Sequence, residues 1–135
     1  MEEKIIVLAI DDNLQQLKIF QDILVPRFDL RLAKSASDAL FFLNRNKSDI
    51  ILLDIEMPNI SGFEFLLDIR KIPSYTGVPI IIVSGNTGNE FYEKARNSSA
   101  ADVLTKPVLP EKLIQTIENT LAANPKGAAQ DDTTA

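Results

Sequence analysis

The chain contains no cysteine, no histidine and no tryptophan. Without cysteine there is no disulfide framework, no thiolate nucleophile and no sulfur-ligated metal site. Without histidine the commonest general base and the commonest zinc ligand are both missing. Catalysis or metal binding must then rest on carboxylates, hydroxyls, amides and lysine, a donor set suited to a hard cation rather than a transition metal. Positive charge is scarce too: 14 Lys and Arg against 19 Asp and Glu leave a net charge of −5. With no basic cluster, neither nucleic acid nor an anionic membrane is expected as a partner. The opening apolar run, Ile5 to Ile10, is too short for a signal-peptide core or a membrane span, and it ends in two aspartates. A cytoplasmic protein is expected.

What is present suits one soluble domain: 135 residues, 45% apolar and 24% charged. The most informative stretch is Asp49 to Pro58, D-I-I-L-L-D-I-E-M-P. Ile50 to Leu53 reads as a strand covered on both faces, the kind found inside parallel sheets. It runs straight into Asp54, and a carboxylate at the end of a buried strand is expensive to desolvate.

Two further runs, Ile5 to Ile10 and Val78 to Val83, read as central strands. Phe28 to Ala33 alternates, with Phe28, Leu30 and Leu32 on one side and Asp29 and Arg31 on the other, which predicts a half-exposed edge. Ala101 to Thr105 is only partly apolar and predicts the other edge. Between the strands lie helical stripes: Leu14, Leu17, Phe20 and Leu24, then Ala36, Ala39, Leu40 and Leu43, then Phe65, Leu66 and Ile69. A fourth stripe, Phe91 and Ala95, is poor and predicts the least firmly packed helix. Helix starts are predicted at Asp12 with Gln15, Ser35 with Asp38, Ser61 with Glu64, and Thr87 with Glu90. Pro110 suits the first position of a fifth helix, packed through Leu113, Ile117 and Leu121. After Ala123 nothing remains to bury, so a domain over 1–123 and a disordered C-terminal tail over 124–135 are expected.

Five strands alternating with five helices predict an α/β fold, a doubly wound five-stranded parallel sheet. Three central strands and two edges fit the order 2-1-3-4-5, the flavodoxin-like (βα)5 arrangement, with its switch point between strands one and three. All strands then end at one rim. Strand one delivers Asp11 and Asp12, strand three Asp54, strand four Ser84, and strand five Lys106. Singly, each has a plainer role as cap, turn or solvated residue; their joint arrival singles out the rim. Two carboxylates roughly 5 Å apart at an effective dielectric near 20 repel by about 3 kcal/mol, so the cluster calls for a cation. Few carboxylates, water and room for a phosphate oxygen describe magnesium better than calcium. A metal, an ammonium and a hydroxyl around one free carboxylate can hold a phosphoryl group in transfer to it. Asp54 is the expected nucleophile, Asp11 and Asp12 the metal pair, and Glu56 either a surface residue or a donor near the metal. Gly85 beside Ser84 gives room and backbone freedom.

With the acidic pair Asp11-Asp12, the block D-I-E-M-P-N-I-S-G from Asp54 to Gly62, Ser84 after an apolar strand, and Lys106-Pro107, the sequence resembles a receiver domain of two-component response regulators, of the chemotaxis-regulator kind. The resemblance runs from Lys4 to about Ala122. It implies that Asp54 accepts a phosphoryl group from a histidine kinase or histidine phosphotransfer protein. It also implies that Asp11, Asp12, Asp54 and the Glu56 backbone carbonyl hold magnesium, with manganese as an alternative. Lys106 would contact the phosphoryl group, Ser84 would swing in to hydrogen-bond it, and the Lys106-Pro107 bond would be cis. The family often carries an aromatic where Val103 stands, and Phe where Val108 stands. Output to a downstream protein target is therefore expected through the fourth helix, with Phe91, Tyr92 and Val103 as the candidate surface. No output domain follows, so a stand-alone phosphoacceptor switch rather than an enzyme is expected.

Two other functions compete. D-I-E at Asp54 superficially resembles the D-x-D of haloacid-dehalogenase-like phosphatases, a magnesium-dependent phosphohydrolase class with an aspartyl-phosphate intermediate. Those enzymes begin with the nucleophile and end with the acidic pair, the reverse of the order here. A receiver-like scaffold that binds partners unphosphorylated is the third reading.

Overall fold

In a computed structural model, which describes residues 4–58 and 60–123, the chain forms a single five-stranded sheet in the order β2-β1-β3-β4-β5. The strands are β1 Ile6–Ile10, β2 Asp29–Ala33, β3 Ile50–Asp54, β4 Ile80–Ser84 and β5 Asp102–Thr105, and every neighbouring pair is parallel. The helices are α1 Leu14–Leu24, α2 Ala36–Leu43, α3 Gly62–Arg70, α4 Asn89–Arg96 and α5 Pro110–Ala123. A 3-10 turn at Pro73–Tyr75, which no periodicity signalled, precedes β4. The expected tail over 124–135 lies outside the described residues.

Every residue of β3 and β4 is buried, as the unbroken apolar runs require of central strands. Two cores result, one on each face. On one face Leu8, Ile10, Ile51, Leu53, Ile80 and Ile82 meet side chains of α2, α3 and α4. On the other, Val7, Ala9, Ile50, Leu52, Ile81 and Val83 meet Leu17, Phe20 and Leu24 of α1 and Leu113 and Ile117 of α5. Alternate strand residues thus serve opposite layers, and each Val, Leu or Ile among them contributes about 1.5–3 kcal/mol when fully buried.

Ser35 and Ser61 cap their helices as expected, accepting from the amides of Asp38 at 3.0 Å and Glu64 at 3.4 Å. Pro110 opens α5. Two helix starts are corrected. Asn13, not Asp12, caps α1 through the Gln16 amide, because Asp11 uses its own carboxylate to turn the chain at Asn13. The cap of α4 is Gly88, one residue after Thr87, and no side chain bonds there. The frame of α1 accordingly leaves Leu14 67% exposed instead of in the core stripe. In β2, Leu32 is 44% exposed while Ala33 is buried. The strand lies at the sheet edge, where alternation sets the direction of a side chain but not whether a helix covers it. Lys106-Pro107 is cis, as is Val25-Pro26.

Candidate functional site

Parallel strands bring their C-terminal ends to one rim, and the register fixes how closely. Ile10 stands opposite Leu53, so Asp11 and Asp54 each sit one residue beyond that pair. Ser84 stands opposite Thr105, and the Lys106 amide donates to the Ser84 carbonyl at 2.8 Å. The rim therefore gathers the expected residues from four strands.

Carboxylate oxygens of Asp11, Asp12 and Asp54 lie within 4.8 Å of one another. Asp11 and Asp54 are buried and Asp12 is exposed. Lys106 Nζ reaches Asp11 Oδ2 at 3.0 Å and Asp54 Oδ2 at 3.6 Å. The two oxygens of Asp54 are treated differently. Oδ1 accepts from the Glu56 amide at 3.0 Å, and Oδ2 faces the ammonium. Asp11 divides likewise, with Oδ1 held by the Asn13 amide at 2.9 Å. Its Oδ2 is buried with no hydrogen-bond partner, in ion-pair contact with Lys106 alone among the described residues. A buried carboxylate oxygen left in that state is costly, and one ammonium cannot offset three carboxylates.

The electrostatics follow. Burial pushes the Asp54 carboxyl up from 3.8 to about 6. The Glu56 amide pulls it back, the neighbouring Asp11 carboxylate raises it, and the Lys106 ammonium lowers it. A divalent cation would reverse this balance. Hard oxygen donors, their spacing and three carboxylates sharing one ammonium all fit such an ion.

The corner after β3 is set by Gly62. A Cβ there would collide with the backbone of Ile55, meeting its carbonyl oxygen and lying 2.5 Å from its Cα and 2.8 Å from its carbonyl carbon. Only glycine lets α3 begin so close to the strand end, which fixes the Asp54–Glu56 turn. Gly85 differs: a Cβ there would meet only Glu56 Oε1, at 4.0 Å, so this conformation does not itself require glycine. Glu56 is exposed and touches the site through its amide.

Ser84 is fully buried, and its hydroxyl accepts from the Asn86 amide at 3.0 Å in a local turn, which leaves its O–H free to donate. Of the expected output residues, Phe91 is corrected. It is 7% exposed, in a ring cluster with Phe63 at 5.9 Å and Tyr92 at 5.5 Å, because the apolar stripe of α4 turns it inward. Tyr92 and Val103 are half-buried on the same core. Sequence reasoning missed Thr105, whose hydroxyl shares a 3.1 Å hydrogen bond with the Tyr92 hydroxyl. Its one signal was its place directly before Lys106. No helix among the described residues is long and apolar enough to cross a membrane.

The chain is similar to known proteins in sequence and fold. The family model described as the response regulator receiver domain matches residues 7–118. Hybrid signal transduction histidine kinase I of Dictyostelium discoideum is 36% identical over 119 residues, 82% of this chain but 7% of that protein. Protein PilH of Pseudomonas aeruginosa is 32% identical over 90 residues, covering 67% of this chain and 74% of PilH. Among solved structures, the CheY-like response regulator receiver domain protein of Methanospirillum hungatei superposes with a TM-score of 0.84 at 25% identity, covering 93% of this chain and 99% of that one. The matched segment carries the acidic pair, the strand-ending aspartate and the lysine described above, and the chain belongs to the response regulator receiver domain family of two-component signalling.

Proposed function

We propose that the chain is a phosphoacceptor switch in which Asp54 takes a phosphoryl group from the phosphohistidine of a histidine kinase or histidine phosphotransfer protein. One observation carries the reading: Asp54 Oδ1 is pinned by the Glu56 amide while Oδ2 faces Lys106 Nζ at 3.6 Å. One oxygen is thereby oriented and the other left as the nucleophile. Attack by Oδ2 forms the O–P bond as the N–P bond to the donor histidine breaks. Lys106 lies where its ammonium meets charge on the incoming phosphoryl oxygens. As that charge arrives, the Ser84 hydroxyl, which accepts from the Asn86 amide, turns its O–H to donate to a phosphoryl oxygen.

Asp11, Asp12, Asp54 and the Glu56 carbonyl would hold magnesium, or manganese in its place. When bound, the ion supplies charge neutralisation for both the carboxylates and the phosphoryl oxygens. Binding requires Asp54 ionised, so metal and proton compete for the same group. The rearrangement at Ser84 alters the segment leading into α4, and with it affinity for a downstream protein.

Incubation with acetyl phosphate and magnesium, followed by intact-mass measurement, tests the reading. A single phosphate adduct is expected on the native chain and none on Asp54→Ala. No adduct, or an equal one on the variant, overturns the assignment of Asp54.

A further inference from the structure

Val103 leaves β5 without an aromatic on the face that α4 covers, and the structure puts one there by another route. Val103 and Thr105 are two apart on β5 and so project to the same side, while Leu104 between them belongs to the opposite core. Tyr92 comes from α4, packs half-buried on the same core as Val103, and sends its hydroxyl to Thr105 Oγ1 at 3.1 Å. Thr105 directly precedes Lys106, whose ammonium holds Asp11 and Asp54. It also stands opposite Ser84 in the sheet register. The Tyr92 ring is braced by Phe91 at 5.5 Å, which in turn meets Phe63 of α3 at 5.9 Å.

We propose that Tyr92 is a positioning residue whose hydrogen bond to Thr105 latches α4 to the strand end presenting Lys106, holding the unphosphorylated form and opening when Asp54 is phosphorylated. The proposal rests on the phosphoacceptor reading and adds the residue pair through which the site and α4 communicate. A swing of Ser84 toward the phosphoryl group pulls on the turn it makes with the Asn86 amide at the lead into α4, and the Tyr92–Thr105 bond tethers that helix to β5. Coupling is reciprocal, so a chain without the latch is already displaced toward the form that accepts phosphate. A single hydrogen bond of this kind corresponds to about a two- to tenfold shift in such an equilibrium.

The chain has two tyrosines, which makes the test direct. Tyr75 is buried, and its hydroxyl donates to the Asn46 carbonyl at 2.7 Å, far from the rim, so it serves as an internal reference. The protein is labelled with 3-fluorotyrosine and its fluorine spectrum recorded before and after treatment with acetyl phosphate and magnesium, with Tyr92→Phe assigning the peaks. Phosphorylation is expected to move the Tyr92 resonance and leave that of Tyr75. Thr105→Val is expected to move the Tyr92 resonance in the same direction without phosphate. Tyr92→Phe and Thr105→Val are each expected to gain the adduct about two- to tenfold faster than the native chain, and the double variant no faster than either. Thermal melts that match the native chain exclude a folding defect in these near-isosteric variants. If the native chain gains its adduct while the Tyr92 resonance stays fixed, or if the variants react at or below the native rate, the latch is overturned and the phosphoacceptor reading stands. If the native chain gains no adduct, both fall together.

Discussion

Lys106 and Arg70 are half-buried cations at opposite rims of one sheet, and they meet very different company. Arg70, at the rim where strands begin, donates to the carbonyls of Tyr75 at 2.8 Å, Val78 at 2.6 Å and Ser99 at 3.0 Å, and to the Ser99 hydroxyl at 2.8 Å. All of these acceptors are neutral. Nearby, Asp49 accepts from the Ile6 amide at 2.8 Å and the Ser48 hydroxyl donates to the Ile50 carbonyl at 2.8 Å. At this rim polar side chains complete the backbone's hydrogen bonding, which joins loops that would otherwise be held by strand ends alone. Lys106, at the rim where strands end, meets two carboxylates as ion pairs and leaves Asp11 Oδ2 without a hydrogen bond. Both rims are polar, but only the second is left in electrostatic debt. Polar residues that satisfy one another build a fold; those that remain in conflict mark where a ligand is wanted.

The contrast can be broken most severely by exchanging the cations for methionine. Lys106→Met in saturating magnesium is expected to slow phosphate acquisition from acetyl phosphate by about 100-fold, read as adduct formed against time. Arg70→Met should leave that rate intact, yet lower stability by about 3 kcal/mol, read from the urea midpoint, because several backbone carbonyls lose their donor together.

The pH dependence of the metal-free protein sharpens the same point. The folded Asp54 titrates at about 6 against an ordinary 3.8, so the folded state holds its proton more tightly than the unfolded one. Its contribution is present in full below about pH 4 and is lost as pH rises through about 6, a change of at most about 3 kcal/mol. Urea midpoints of the native chain and Asp54→Asn, measured without divalent ions from pH 4 to 7, should diverge across that window. Magnesium should restore the native midpoint at the upper end. The smallest expected effect has the opposite sign. Asp11→Asn relieves carboxylate repulsion and should stabilise the metal-free chain by about 1 kcal/mol, while weakening magnesium binding measured by calorimetry.

Much of this was legible in the residues. Ile50 to Leu53 and Val78 to Val83 announce central strands because burial on both faces leaves no room for alternation, and the observed order 2-1-3-4-5 is among those that edges at strands two and five allow. The rim residues were legible for the same reason: parallel strands leave no choice about which ends meet. The caps at Asn13 and Gly88 were not, since each competes with an adjacent polar residue and only the loop's path decides between them. Leu14 and Leu32 show the limit of periodicity, which states the side a residue faces but not whether another element arrives there. The role of Arg70 was hidden because its acceptors are carbonyls, which carry no mark in a sequence. Tyr92 was named as a surface contact, but its partner Thr105 depends on how far α4 leans over β5.

Gly62 has one more consequence, and it concerns mechanical compliance. Backbone rests against backbone where α3 meets Ile55, with room for a hydrogen and nothing larger. The turn carrying Asp54 and Glu56 is therefore stiff toward α3. On its other flank, beyond β4, a Cβ added at Gly85 would meet nothing closer than 4.0 Å, and α4 starts from Gly88 without a side-chain cap. A force generated at the Asp54 carboxylate meets a wall on one side and a soft hinge on the other. Under the proposed phosphorylation of Asp54, displacement is thereby rectified toward α4, and its direction is written into a glycine outside the acidic cluster.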